Sequence, residues 1–253
     1  MTAALSAVLI GAAAACGSPT AFDHPTGSDE RVLVVGSIAG LVTPENDFMG
    51  LPRVTIMGDG TAIFTREGAY LQDGIEVVDQ RTLSADGMQQ ALRIASSAGL
   101  LETRDLSGYD DDGGATVVHV WVDDEQFTNG AYGSDDEPDR NRDRIREFVA
   151  DLDAFLRSDG DQLGPITAYQ PEEYDVLARQ IDEQSLASFE PQDFVEWPDQ
   201  IPRDLIDAGV CSRVDAHDVG DALDADNLPV LIADGDTRYL VAVRPVLPGV
   251  ACR

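Results

Sequence analysis

The chain of 253 residues contains no lysine; all 17 of its basic residues are arginine, against 47 Asp and Glu, for a formal net charge of −30. That balance argues against nucleic acid as a partner, because phosphate binding needs a basic footprint. It also repels the chain from an anionic membrane surface. Histidine is scarce: His24, His119 and His217 are the whole supply of imidazole for general-base chemistry. The Gly-x-Ser-x-Gly elbow of many serine hydrolases is missing, and GSIAG at Gly36–Gly40 has the wrong spacing. No Gly-rich phosphate loop of the P-loop or dinucleotide form occurs, and no His/Cys set has zinc spacing. No apolar run reaches the roughly 20 residues of a membrane-spanning helix.

The most distinctive stretch is LSAVLIGAAAACGS, Leu5 to Ser18, inside a first 15 residues that carry no charge. Its length and its end in small residues match the apolar core of a secretory signal. Ala13, Ala14 and Ala15 directly before Cys16 resemble a bacterial lipoprotein signal, which is cut before a cysteine whose sulfur carries diacylglyceryl. Two details depart from the usual pattern: Ala13 stands where leucine is common, and MTAALS lacks an opening Lys or Arg. The resemblance implies a signal peptide over 1–15, lipidation at Cys16, a membrane partner reached through that lipid, and an extracytoplasmic domain. Residues 16–30, rich in Gly, Pro, Ser and Thr, read as a flexible tether. With Cys16 lipidated, Cys211 and Cys252 remain, and an even pair in an exported protein suggests a disulfide. Two buried thiols are the alternative.

Beyond the tether, periodicity predicts an α+β protein: antiparallel hairpins packed on two amphipathic helices over 31–160, then a smaller irregular α+β region over 161–253 closed by a hairpin. Asp59-Gly60 and Asp234-Gly235, each flanked by apolar alternation, mark hairpins. A further hairpin lies in ATVVHVWVDDEQFTNGAYG; both faces of its first strand are apolar, which predicts an interior strand. Ser84 can cap a helix whose face carries Met88, Ala91, Leu92 and Ala95 and which stops at Gly99. A second helix starts near Pro138 and carries the stripe Ile145, Phe148, Val149, Leu152, Phe155 and Leu156. PRDLIDAGV reads as a short helix, and Phe194 and Trp197 as anchors in a loop.

Charged clusters in so acidic a chain are solvated surface unless their spacing fits a site. DRNRDR has Asp139, Asn141 and Asp143 at calcium-loop spacing, but Arg144 and Ala150 stand where glycine and glutamate are needed. Asp110, Asp111 and Asp112, beside Gly113 and Gly114, are the better candidates for a weak calcium site, with an acidic turn in water as the alternative. Arg140, Arg142, Arg144 and Arg146 read as a self-paired helix face, with Asp136, Asp139 and Asp143 three or four residues before Arg140, Arg142 and Arg146. Each such pair is worth about 0.2–0.5 kcal/mol.

The order VTIMGDGTAIF, a helix ending SAGLL, TVVHVWVDDEQFTNGAYG, a closing helix and a final VRPVLPGVAC is similar to a group of actinobacterial lipoproteins of unknown function. That similarity implies the fold class and the compartment; it supplies no catalytic residue. The resulting expectation is a lipid-anchored protein of the bacterial cell envelope, a non-catalytic binding or interaction module with an unidentified envelope partner and no cofactor. The alternatives are a secreted hydrolase using acids with His119 or His217, and a weak calcium-binding domain.

Overall fold

Alternating β-branched residues punctuated by Asp-Gly and Asp-Asp steps set the strands, and two stripes at helical spacing set the main helices. The computed structural model describes residues 21–38, 44–66, 78–103, 114–132, 140–186, 194–197, 203, 211–219 and 230–252. The signal segment, Cys16, Asp110–Asp112 and nearly all of PRDLIDAGV lie outside the described residues. The first part runs β1 (Arg31–Ile38), α1 (Pro44–Met49), β2 (Val54–Met57), β3 (Thr61–Thr65), β4 (Val78–Thr82), α2 (Ala85–Ser97), β5 (Ala115–Val122), β6 (Glu125–Tyr132) and α3 (Arg140–Arg157). The second runs β7 (Thr167–Ala168), β8 (Glu173–Gln180), α4 (Glu183–Leu186), β9 (Val195–Glu196), β10 (Ser212–Asp215), α5 (Ala216–Val219), β11 (Val230–Asp234) and β12 (Thr237–Pro245).

The strands form two sheets, ordered β6-β5-β1-β2-β3-β4-β7 and β10-β8-β12-β11-β9. Every pairing is antiparallel except that of β9 with β11. The chain is therefore α+β with mostly antiparallel sheets. β5 lies between β6 and β1, which accounts for its two apolar faces. On one face of the large sheet, Leu33, Val35, Ile56, Phe64, Val118 and Val120 pack with Met88, Leu92 and Ala95 of α2 and with Ile145, Phe148, Leu152 and Leu156 of α3. Burying each large side chain contributes about 1.5–3 kcal/mol. Ser84 caps α2 as its sequence suggests: its Oγ accepts from Gly87 N at 3.2 Å.

The small sheet has its own core, built from Val176, Ala178, Trp197, Val214, Ile232 and Val241, with Phe48 and Met49 of α1. The two sheets are interleaved in sequence. α1 arises within the first part yet packs against the second sheet, whereas β7, beyond residue 160, pairs with β4. The break in pattern near residue 160 is thus a turn inside the structure and does not assign one sheet to each half. Residues 21–30 also differ from a free tether. Phe22 packs against the large core, and its backbone exchanges hydrogen bonds with the Gln89 side chain at 2.9 and 2.8 Å. Asp23 O accepts from Asp123 N at 2.9 Å. Composition alone concealed this docking, because one aromatic residue and its backbone amides supply the attachment.

The turns show what the dipeptide signals left open. In the β11–β12 hairpin Asp234 faces Thr237, so the loop is Gly235-Asp236, one residue later than the Asp-Gly pair suggests. Gly235 has φ 60° at the first loop position, where a type II′ turn needs glycine. In the β5–β6 hairpin the loop is Asp123-Asp124, and both residues have positive φ, 53° and 61°. A type I′ turn demands this, and it is costly for residues with a Cβ. Asp123 compensates, because its Oδ1 accepts from Asp23 N at 3.1 Å. Asp124→Gly is expected to stabilise the protein by about 0.5–1 kcal/mol, read as a higher urea midpoint with an unchanged slope; a lower midpoint would show that the carboxylate matters more than the backbone strain.

Candidate functional site

The first candidate is a cleft of about 540 Å³ where α3 and the large sheet diverge. Its strand side is formed by the end of β1 (Ser37, Ile38), the start of β5 (Ala115, Thr116) and Ala131 of β6. Its helix side is formed by Arg142, Ile145, Arg146 and Val149 of α3, and Arg53 approaches from the residue before β2. The room exists because Gly114, Ala115 and Ala131 are small at the strand ends. Ile38 leaves an apolar side chain 42% exposed at this mouth. Arg53 Nη2 lies 3.5 Å from Asp153 Oδ2, with the Arg53 side chain about half exposed.

Of the pairs that the spacing in α3 suggests, Asp143–Arg146 is present among the described residues. Asp143–Arg146 is a loose contact at 4.0 Å between exposed side chains, while Asp136 and Asp139 lie outside the described residues. Arg142 is buried. Arg144 turns away toward the end of α2, donating to Gly99 O at 2.8 Å, Ala98 O at 3.2 Å and Asn129 Oδ1 at 3.2 Å. Arg144 is in none of the pairs read from the spacing; in this partly buried place the carbonyls just beyond α2 take its guanidinium. Arg81 of β4 does the same for α3, donating to Ser158 O at 3.0 Å and to Leu156 O and Gly164 O at 2.5 Å.

The second cluster is a buried carboxylate in the small sheet. Asp175 of β8 is fully buried and stands opposite Arg213 of β10 and Arg244 of β12 in register. Arg213 Nε donates to Oδ1 at 3.0 Å, and Arg244 Nη2 to Oδ2 at 3.2 Å. The same guanidiniums reach beyond the sheet. Arg213 donates to Val250 O at 3.0 Å; Arg244 donates to Phe48 O at 3.1 Å and lies over the Phe48 ring at 4.6 Å. Cys211 and Cys252 are joined in a disulfide beside this row, closing 41 residues of sequence. The two sulfurs and the Asp175 carboxylate form the one three-ligand cluster among the described residues. With the thiols oxidised and the carboxylate held by two cations, it is a structural node with no open coordination position for a metal.

The histidines occupy three different settings. His24 Nδ1 donates to Pro25 O at 2.7 Å within the docked N-terminal segment. His217 sits exposed in α5. His119, half-buried on β5, hydrogen-bonds Thr128 Oγ1 at 3.0 Å with the Trp121 ring 5.8 Å away. Burial, and secondarily the positive charge of Arg31, hold its imidazole below the usual histidine range. Sequence reasoning identified the disulfide pair and the histidines. It missed the cleft and the Asp175 row, because both depend on strand register and on residues far apart in the chain. Compared with protein families, with curated proteins and with solved structures, the chain matches none.

Two measurements follow from these settings. Asp175→Asn removes the counter-charge of two arginines and is expected to cost about 3 kcal/mol, toward the low side because Arg213 is one-third exposed. Urea unfolding checks this, and a loss below about 1 kcal/mol would show the row to be dispensable. For His119, the folded state resists protonation more than the unfolded chain does. Stability from the neutral ring is therefore complete above the ordinary histidine pKa of about 6.5 and is lost as pH falls from there toward the lower folded value. The Tm advantage of the native chain over His119→Gln should shrink between pH 8 and pH 5; a constant gap would contradict a neutral, packed ring.

Proposed function

We propose that the chain is a lipid-anchored extracytoplasmic protein of the bacterial cell envelope, of the kind the actinobacterial lipoproteins represent, acting as a binding or interaction module. The observation that carries this reading is the Cys211–Cys252 disulfide. Disulfides persist in oxidising compartments, and pairing these two leaves Cys16 as the odd cysteine, directly after four alanines. The anchor reaches the membrane by its acyl chains while the domain, at −30, is held off anionic headgroups. One lipid-bearing terminus therefore does the anchoring and leaves the folded surface available to a partner. A binding role is favoured over hydrolysis by where polar chemistry is concentrated among the described residues: the buried acids are tied to arginines, several other arginines hold backbone carbonyls, and the cleft beside α3 holds no histidine among its described lining residues.

The test is the mass of the N-terminal peptide of the native protein recovered from membranes. A peptide beginning at Cys16 with a diacylglyceryl adduct is expected. An unmodified peptide retaining Met1, recovered from the soluble fraction, would overturn the anchored reading.

A further inference from the structure

We propose that the docking of residues 22–30 turns the tether into a short leash, so that a lipid at Cys16 holds the surface around Phe22 and the β5–β6 turn toward the bilayer. This rests on the anchored reading and adds to it a membrane-facing surface and a limit on reach. Composition marks residues 16–30 as tether, but the free length ends at Phe22. Phe22 packs against the large core, and its N–H and C=O pair with the Gln89 side chain of α2 at 2.9 and 2.8 Å. Asp23 N donates to Asp123 Oδ1 at 3.1 Å, and Asp23 O accepts from Asp123 N at 2.9 Å. Farther along, the segment lies on the β2–β3 turn. Glu30 O accepts from Gly58 N at 2.8 Å, and a Cβ at Gly58 would stand 2.6 Å from Pro25 O, so glycine is what admits the segment there. The Glu30 carboxylate closes the segment on itself, accepting from Thr26 N at 3.2 Å and Gly27 N at 2.8 Å. The seat is thus built on three separate elements.

Lengths decide the consequence. A fully extended chain spans at most about 3.6 Å per residue, so the stretch from Cys16 to Phe22 reaches about 20 Å, whatever path residues 17–20 take. A tether free as far as Arg31 would reach about 50 Å. A compact body of this many residues is about 45 Å across. The longer tether would let it turn any side to the membrane; the shorter one does not. Asp23, Asp123, Asp124 and Glu125 are exposed at the tethered surface, and their repulsion from anionic headgroups keeps the leash extended instead of laying the body on the lipid. The whole protein then stays within about 65 Å of the bilayer. That restricts its partners to molecules in or against the membrane.

The experiment is energy transfer from Trp121, two residues before Asp123, to dansyl-headgroup lipid in neutral phosphatidylcholine vesicles. Trp197→Phe removes the other tryptophan of the chain. The protein is purified from membranes with its own N terminus and reconstituted. A second form carries a flexible Gly-Ser spacer of about 20 residues between Ser18 and Pro19, which lengthens the leash by about 25 Å without touching the docked segment. Transfer is expected to be strong with the native length and to fall about twofold or more with the spacer. Hydrogen exchange on the native chain, which needs no substitution, should show the Phe22 and Asp123 amides at least about tenfold slower than in the unfolded chain. Transfer indifferent to the spacer, or unprotected amides at both positions, would overturn the short leash. With diacylglyceryl found on Cys16, such a result removes the orientation and spares the anchored reading. An N-terminal peptide without lipid removes both.

Discussion

Donation from arginine to backbone carbonyls is the interaction on which the rest of this structure depends. A helix leaves four carbonyls without intrahelical partners at its C-terminal end. α2 has no basic residue in its last turn; Ile94 O, Ala95 O and Ser96 O accept from backbone N–H groups that follow, and the next carbonyls, Ala98 O and Gly99 O, are taken by Arg144 from α3. The carbonyls that end α3 are taken in turn by Arg81 from β4. Each helix on the large sheet is thus moored by a fork rooted in a different element. Near the C-terminal end, Arg213 and Arg244 hold Val250 O and Ala251 O, while Arg157 reaches Thr65 O. A guanidinium presents five donors in a fixed plane, so one side chain can bind carbonyls in two segments at once; an ammonium is a point charge without that geometry. Hydrogen bonds to charged groups are worth about 1.5–3 kcal/mol, so a few such clamps rival the whole net stability of a domain, about 5–15 kcal/mol.

That use of arginine has an electrostatic consequence. Where guanidiniums point inward to carbonyls, the outer surface is left to carboxylates. Of the buried acids among the described residues, Asp79 is held by Arg66 at 2.6 Å and Asp175 by two arginines. Most other acids among the described residues lie at the surface, where self-repulsion favours expansion and salt screens it over a Debye length of about 8–10 Å. The fold withstands this field because its apolar cores are extensive and its cations reinforce the places where chain segments end.

The parts of this architecture legible in the sequence are the local ones. Ser84 as a cap, the stripes of α2 and α3, and the hairpins all follow from spacings of a few residues, and the disulfide follows from cysteine arithmetic. The last hairpin lies where Asp234-Gly235 marks it, with its two-residue loop at Gly235-Asp236, a detail set by the strand register rather than by the dipeptide. The order of the large sheet was not legible. β1 pairs with both β2 and β5, and no local pattern announces a partner some 80 residues away. The arginine clamps escaped for the same reason: Arg81 lies 83 residues from Gly164, and Arg144 lies 45 from Gly99. The cleft is a shape left by small residues on separate strands, so only the assembled structure shows it.

The Asp175 row shows how a costly interaction can specify a fold. A buried ion pair often returns little net stability, because desolvation offsets attraction. Its value here lies in register. Arg213, Asp175 and Arg244 stand directly opposite one another across β10, β8 and β12. A one-residue slip of either outer strand would turn its arginine to the other face of the sheet, leaving the carboxylate with half its compensation. The disulfide fixes the same strands covalently, since Cys211 directly precedes β10 and Cys252 follows β12 by seven residues. Closing a loop of this size is worth about 4 kcal/mol in the chain-entropy model. The same cross-link holds Val250 and Ala251 where Arg213 and Arg244 can bind their carbonyls. The covalent bond and the ion pairs therefore stabilise one arrangement cooperatively: the cross-link lowers the entropy cost of placing the tail, and the arginines that receive the tail are those whose charge the buried carboxylate requires.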